Sequence, residues 1–327
     1  MTLDASRVIR SAFQASINQA DPKAAVERYL SAPPVDESGR IIVIAAGKAA
    51  PAMLRGAYSV LGPKVDAICV THKENQDFID GIPFFNSGHP IPDEIGIEAT
   101  RTISEILKST TPQDHVIALI SGGASALLPA PAAGISLEDK QALNATLLAS
   151  GLDIVEMNMI RQQVSTLKGG GLLRQAAPAT VSAYILSDVV GDDLRAIASG
   201  PTVAPLGTKS TARARLQQIG AWETLPASIK LHLESDVTET ALPLAQNILV
   251  GSNTHSVNAA SQHLQADFNV ISIETPLVGD VRAASRVIID RFEQQSPVSI
   301  PTAIVWARET TPSGSKAQQT ASLLKSL

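Results

Sequence analysis

The stretch VIALISGGASALL, residues 116–128, shows the sequence pattern that indicates the fold. An apolar run ends at Ser121-Gly122-Gly123, and a helix-like pattern follows. A continuous apolar run that stops at a turn is typical of a strand buried on both faces of a sheet. Glycines after such a strand let a ligand approach the backbone, and a helix start favours an anion. The stretch therefore predicts strand, turn and helix, with an anion-binding turn as the functional hypothesis and a ligand-free tight turn as the structural alternative.

The same pattern recurs along the first two thirds of the chain. Apolar strands are predicted at IIVIA (residues 41–45), VDAICVT (65–71), HVIALI (115–120) and ATVSAYILS (179–187), and helical spacing lies between them. This alternation favours a doubly wound α/β domain with a mostly parallel, Rossmann-like sheet. Ligands of such sheets bind at the carboxyl ends of the strands, where these breaks fall.

The pattern restarts near Leu242 with NILVGSNTHSVNAASQHL, which predicts a strand, a loop and a helix. Three prolines between residues 205 and 243 suggest a linker there. We therefore predict a Rossmann-like N-terminal domain over residues 1–240 and a smaller, incomplete α/β domain over residues 241–327. The N-terminal domain is expected to fold by itself.

Composition excludes several classes of protein. The 327 residues are 44% hydrophobic and 17% charged, with a net charge of −5, and no basic cluster with interleaved aromatics indicates nucleic-acid binding. The single cysteine, Cys69, excludes an intrachain disulfide and a cysteine-rich zinc site, and its apolar neighbours predict a core position. No apolar run reaches the roughly 20 residues of a membrane span, and no signal peptide is visible. We expect a cytoplasmic protein.

Two charged residues directly follow predicted strands. Lys48, in AAGKAA, is a candidate point charge for phosphate or carboxylate, and a snorkelling lysine at a helix start is the alternative. Asp188, in LSDVVGDD, suits magnesium or a general base. The nearby Asp192 and Asp193 are typical of a solvated turn.

A second basic group lies in RQQVSTLKGGG. Arg161 and Ser165 are four residues apart on a helix predicted over residues 153–167, and Lys168 opens the glycine turn. The group suggests anion binding, with an exposed helix end as the alternative. His89, between Gly88 and Pro90, is interpreted as a loop-ordering residue, because no second histidine has metal-ligand spacing.

Nucleotide motifs of the common kinds are missing. The chain contains no G-x-x-x-x-G-K-[ST] loop, and KGGGLLR does not match G-x-G-x-x-G and follows a predicted helix. A dinucleotide-binding dehydrogenase is therefore disfavoured.

Longer motifs in a fixed order carry a resemblance. AAGKAA, SGHPIPDE, LISGGASALLPAP, LSDVVGDDLRAIASGPT and VGSNTHSVNAA together resemble the glycerate 2-kinase family. The C-terminal part of that family is called the MOFRL domain, and some of its members are labelled hydroxypyruvate reductase. The resemblance extends from about residue 5 to residue 306.

The resemblance implies a transferase that moves the γ-phosphoryl group of ATP to the 2-hydroxyl of D-glycerate, with Mg²⁺. It implies a site in a cleft between two domains, with Lys48 and Asp188 as catalytic residues and Asp188 as a metal ligand. The phosphate or the carboxylate of glycerate would then bind Ser121, Gly122, Gly123, Ser125, Arg161 and Lys168. The implied partner is a small-molecule substrate, and a homodimer is compatible with the family.

The sequence departs from the family at several places. Ala124 stands where the family usually has a third glycine, and Gln163 stands where it has a histidine. If residue 124 needed a positive φ, alanine would cost on the order of 1 kcal/mol. Ala307-Arg308 replaces a glycine pair, Lys316 stands near a family arginine, and the family continues beyond this chain. A catalytically impaired, truncated member that binds a ligand is therefore the second hypothesis, and a reductase is the third.

Overall fold

The computed structural model describes residues 4–33, 38–235, 241–294 and 301–311. Lys316, which stands near a family arginine, lies outside these ranges. The chain divides into two compact units, Pro22–Val250 and Met1–Asp21 together with Gly251–Leu327. This division differs from the predicted boundary at residue 240, because the first helix groups with the C-terminal segment.

The unit of residues 22–250 is built on a sheet with the strand order β3-β2-β1-β4-β5-β6. The pairings β3-β2, β2-β1, β1-β4 and β4-β5 are parallel, so the predicted doubly wound α/β fold is confirmed. The strands are β1 (Ile41–Ala46), β2 (Asp66–His72), β3 (Phe84–Ser87), β4 (His115–Ile120), β5 (Thr180–Leu186) and β6 (Ala245–Gly251).

Both faces of the sheet are buried, which explains the unbroken apolar strands. In β1, Ile42 and Ile44 enter one core, whereas Val43 and Ala45 enter the other. Alternation of this kind follows from the period of two along a strand. Cys69 lies in the second core as predicted, and burial raises the pKa of its thiol.

Helices cover both faces and extend beyond one end of the sheet. Those in this unit are α2 (Pro22–Tyr29), α3 (Ala50–Leu61), α4 (Glu94–Lys108), α5 (Ala124–Leu127), α6 (Leu137–Ala149), α7 (Ile154–Gln163), α8 (Gly171–Ala176), α9 (Lys209–Gln218) and α10 (Ala227–Glu234). α2 opens on Pro22, at a position where the missing N–H of proline costs nothing. Ser136 caps α6 in a reciprocal capping box with Asp139.

The segment predicted to be a linker is largely helical. Leu216, Trp222 and Ile229, from residues 205–243, are buried in one core with residues of α6 and α7. Pro226, for example, is the N-cap of α10 and does not mark an open connection. The prediction of a linker was wrong because prolines punctuate helical segments as well as linkers.

The helix predicted over residues 153–167 ends at Gln163. Residues 164–166 pair instead with the chain after β4, since Ala132 N–H donates to Val164 and Thr166 N–H donates to Ala130. Ser165 therefore lies beyond the helix, opposite Pro131 in an isolated bridge. It does not share a helix face with Arg161.

The other unit combines α1 (Ala5–Ala20), α11 (Asn253–Leu264), β7 (Asn269–Asp280), α12 (Val281–Glu293) and β8 (Thr302–Thr311). β7 and β8 pair in parallel. Ala12, Ala260 and Leu264 form its small core, and Val270 and Val305 pack against them. No helix in the described ranges of the chain has the length and apolarity needed to cross a membrane.

Candidate active site at the carboxyl edge of the sheet

β1 and β4 are neighbours in the sheet, but the chain continues from them in opposite directions. The strand after β1 lies on one side of this pair, and the strand after β4 lies on the other side. In doubly wound sheets the ligand crevice lies at such a switch point. Gly47-Lys48 follows β1 and Ser121-Gly122-Gly123 follows β4, so both turns lie at that point. The Lys48 N–H donates to the Gly122 carbonyl at 2.9 Å, which joins the two turns directly.

Gly122 lies against the carboxylate of Asp188. A methyl group built on Gly122 would lie 1.9 Å from Asp188 Oδ2 and 2.9 Å from Oδ1. No larger residue could stand there without moving the aspartate. Glycine is therefore needed in this turn because a side chain just beyond β5 lies against it.

Gly123 contributes the second close approach. Its φ of 86° lies in the left-handed region, which favours glycine. A methyl group on it would lie 3.2 Å from Lys48 Cγ and 3.3 Å from His89 Nε2. Lys48, His89 and Asp188 are thus gathered around one turn, and all three side chains are exposed.

The electrostatics of His89 reflect this grouping. Desolvation, followed by the positive charges of Lys48 and His72, lowers the pKa of His89, whereas Asp188 acts in the opposite direction. His89 is therefore mainly neutral near pH 7, and its ring can accept or donate a hydrogen bond.

The turn leaves two backbone donors available. Within the described part of the chain, the N–H groups of Gly122 and Gly123 have no hydrogen-bond acceptor. The buried Ser121 is occupied instead, since its N–H donates to Ala46 and its Oγ accepts from Ala49 N–H at 3.1 Å. Ser121 thus builds the turn, and the two glycines offer the free amides.

Ser125 faces inward, away from the free amides. Its Oγ lies 2.9 Å from Ser199 Oγ, and Ser199 Oγ donates to Asn158 Oδ1 at 3.0 Å. Ser199 is buried and has a φ of 59°, a sparsely populated conformation for a residue other than glycine. These contacts tie α5 to α7 and to the loop after β5.

Lys168 also lies beneath the turn. It is buried, and its Nζ donates to the carbonyls of Ser125 at 2.7 Å and Leu128 at 2.9 Å. Lys140 is equally buried and donates to the carbonyls of Pro129 and Val164. Two lysines therefore hold the chain after β4 through its carbonyl groups, an arrangement that differs from the anion contact expected of Lys168.

Arg161 lies apart from the turn. Its Nε donates to Asn144 Oδ1 at 2.8 Å, which joins α7 to α6, and burial lowers its pKa. Of the residues expected at the site, the structure brings together Lys48, Asp188, Ser121, Gly122 and Gly123. Ser125, Arg161 and Lys168 make other contacts.

Ala124 and Gln163, two of the departures from the family, are accommodated locally. Ala124 is the first residue of α5 and is absent from the described residues of positive φ, so the expected strain does not arise. Gln163 Nε2 donates to the Gly207 carbonyl at 2.9 Å, and its own carbonyl lies 2.9 Å from His232 Nε2.

Sequence reasoning missed His89 as a site residue and missed Ser199 and Asn158 as supports. His89 could have been found, because it follows β3 and so shares the edge on which Lys48 and Asp188 lie. Nothing in the sequence signals the contacts of Ser199 and Asn158, because they depend on how α5 and α7 approach one another.

Comparisons with known proteins place this geometry in a family. Residues 8–234 match the family described as a domain of unknown function, DUF4147. The chain is 38% identical over 318 residues to an Agrobacterium vitis protein provisionally named hydroxypyruvate reductase, covering 94% of this chain and 71% of that protein. It is 37% identical over 285 residues to the glycerate 2-kinase of Pyrococcus horikoshii, covering 84% of this chain and 64% of that protein.

A solved structure agrees with both. The crystal structure of a glycerate kinase from Thermotoga maritima superposes with a TM-score of 0.84 at 32% identity, covering 96% of this chain and 78% of that one. The chain thus spans about two thirds to three quarters of the length of these relatives. Since the family match covers well over half of the chain, including both glycine turns, the chain belongs to the DUF4147 family, the family of the glycerate 2-kinases.

Proposed function

We propose that this chain is an ATP-dependent glycerate 2-kinase, which transfers the γ-phosphoryl group of ATP to the 2-hydroxyl of D-glycerate. One observation carries the proposal: Lys48, Asp188 and the free amides of Gly122 and Gly123 meet at the switch point of the sheet. Its relatives named glycerate kinase give the substrate and the reaction.

Phosphoryl transfer requires positioning and charge neutralisation more than covalent participation of the protein. The amides of Gly122 and Gly123 would bind an anionic oxygen of phosphate or of the glycerate carboxylate. The Lys48 ammonium would neutralise charge that develops during transfer. Asp188 would accept the proton of the attacking hydroxyl or hold the metal, and these two roles stay open.

The residues present fit a nucleotide-bound magnesium ion. Among the described residues, no group of three or more His, Cys, Asp and Glu side chains could form a closed metal site. Mg²⁺ in kinases keeps several waters and uses one or two carboxylates together with phosphate oxygens. Asp188 supplies such a carboxylate at the turn, and the ion would add positive charge beside the phosphates.

A reductase is the weaker alternative. The strand order is that of dinucleotide-binding folds, but the turn after β1 reads Gly47-Lys48-Ala49 and lacks the three glycines of that fingerprint. We expect no oxidation of NADH or NADPH with hydroxypyruvate.

The test is release of ADP by purified protein with D-glycerate, ATP and Mg²⁺. Replacement of Gly122 by alanine leaves its φ unstrained but places a methyl group on Asp188. We expect Gly122→Ala to lower kcat/KM about 100-fold or more, in the range seen when one transition-state contact is lost. Lys48→Ala and Asp188→Asn should lower it as well.

Gly62→Ala is the matched control. Gly62 has a φ of 76° and a ψ of −179°, with open space around it, so alanine there costs about 1–3 kcal/mol of stability and leaves the site unchanged. Phosphorus NMR of the product distinguishes 2-phosphoglycerate from 3-phosphoglycerate. A folded wild type that binds D-glycerate without turnover would favour the impaired-member hypothesis. Equal activity of wild type and Gly122→Ala would reject the site.

The remaining expectations about the molecule are also proposals. A cytoplasmic location and a homodimer fit a small-molecule kinase, and light scattering on the purified protein measures the oligomeric state. D-glycerate is the partner that the site is proposed to bind, with ATP and Mg²⁺ as the further ligands.

A further inference from the structure

A second cleft lies within the unit of residues 22–250, separate from the glycine turn. Its volume is about 1110 Å³, slightly above the roughly 300–1,000 Å³ of most small-molecule sites. The described lining residues do not include Lys48, Gly122, Gly123 or Asp188. They do include Gly169 and Gly171 of the KGGG turn, which has no role in the proposed kinase site.

The charge of the lining is one-sided. Lys108 from α4, Arg174 from α8, and Lys209 and Arg213 from α9 all face this cleft, whereas Glu234 is the single carboxylate among the described lining residues. The whole chain carries a net charge of −5. Cations from three different helices thus lie together in one cleft, although the chain as a whole is negatively charged.

The two cations of α9 stand at unfavourable positions. Lys209 is the first residue of the helix, where the helix dipole opposes a positive charge. Arg213 follows four residues later on the same face, and like charges at this spacing repel. Lys209 Nζ donates to Ser235 Oγ at 2.9 Å, and desolvation lowers its pKa. A bound anion would relieve both conflicts.

The facing wall also has unused donors. Arg174 Nη1 donates a hydrogen bond to the Gly169 carbonyl at 3.0 Å, which fixes the guanidinium beside the cleft. Lys108 and Arg213 form no ion pair with any described residue. The cleft therefore offers a planar guanidinium held by one hydrogen bond together with lysine ammonium groups, a combination that suits phosphate oxygens.

We propose that this cleft binds a small phosphate-bearing polyanion at a site distinct from the kinase centre. The surplus of positive charge requires more than one negative charge on the ligand, and the volume admits a phosphorylated metabolite. The inference goes beyond the proposed kinase reaction and stands whether or not the chain phosphorylates glycerate.

The experiment measures pyrophosphate binding to the full chain by isothermal titration calorimetry at constant ionic strength. We expect Arg213→Gln and Lys108→Gln each to weaken binding about tenfold, the usual effect of losing one charge-assisted contact. Lys48→Ala should leave unchanged the component of binding that Arg213→Gln and Lys108→Gln weaken, because Lys48 does not line the cleft. Lys64→Gln, an exposed lysine away from the cleft, controls for the change in net charge.

Three outcomes would overturn the proposal. The first is no pyrophosphate binding by a wild type whose circular dichroism shows it folded. The second is binding that Lys48→Ala abolishes and Arg213→Gln does not, which would place the anion at the kinase centre. The third is citrate binding as tightly as pyrophosphate, which would reject phosphate as the recognised group.

Discussion

Lys140 is a buried lysine, with 6% of its surface exposed. Its Nζ donates to the carbonyls of Pro129 and Val164. Desolvation, with the charge of Arg161 adding to it, lowers the pKa of Lys140 to about 7. The lysine therefore loses its proton in the folded protein at a pH where the unfolded chain keeps it.

This difference makes stability depend on pH. Between the folded pKa near 7 and the ordinary value of 10.5, the unfolded chain binds more protons than the native protein. The free energy of unfolding should therefore rise with pH in this window, by at most about 1.4 kcal/mol per pH unit for one group. Lys168, whose pKa is also lowered by burial, acts in the same direction.

Urea unfolding at pH 6.5, 7.5 and 8.5 tests this prediction. The wild type should gain stability relative to Lys140→Met as the pH rises, because the variant lacks the titrating group. The exposed Lys64→Met should follow the wild type at every pH. A constant difference between wild type and Lys140→Met across this range would mean that Lys140 stays charged in the native state.

At the scale of elements, α5 is too short to hold its own position. A single turn of helix gains little from its own hydrogen bonds, so tertiary contacts must fix it. Lys168 supplies them at the carboxyl end through the carbonyls of Ser125 and Leu128. The free amides of Gly122 and Gly123 precede the same turn, so the position of Lys168 bears on the anion site without contact with substrate.

Lys168→Met should release this end of α5. We expect amide exchange in residues 124–131 to become about tenfold faster, since the two hydrogen bonds from Lys168 Nζ are lost. Exchange in β1 and β4 should be unaffected. Hydrogen–deuterium exchange by mass spectrometry measures this directly and does not require that the chain be active.

Lys168→Arg provides the rescue experiment, because it keeps a long side chain with nitrogen donors. It should restore part of the protection and, if the chain is a kinase, part of kcat/KM. Unchanged exchange of residues 124–131 in Lys168→Met would show that other contacts hold the turn, with the pair of Ser125 and Ser199 as the next candidate.

At the scale of the whole molecule, the unit of residues 22–250 contains both cores of the sheet and the helical core beside them. The helical core needs α9 and α10, which bring Leu216 and Ile229 against α6 and α7. We therefore expect a fragment of residues 22–250 to fold alone. A fragment of residues 22–204 should be less stable by several kcal/mol, because it exposes that core and also lacks β6.

Fluorescence offers a local probe of this prediction. The chain has two tryptophans, and Trp222, which is 8% exposed, is the one within residues 22–250. Its emission should be that of a buried indole in the fragment and should shift to the red in one step with the loss of circular dichroism. Separate transitions, or equal stability of the two fragments, would contradict a single cooperative unit.

The sequence by itself determined the doubly wound sheet, its parallel strands and the edge on which Lys48, Asp188 and the glycine turn lie. These features follow from the local period of apolar residues and from the rule that parallel strands end at a common edge. The packing at α5 depends instead on contacts between residues far apart in the chain. The sequence suggests anion binding for Lys168, with an exposed helix end as the alternative, whereas the approach of residues 164–168 to residues 128–131 buries it. Gly122 meets Asp188, and Ser125 meets Ser199, for the same reason: tertiary structure decides which side chains fill the space around a turn.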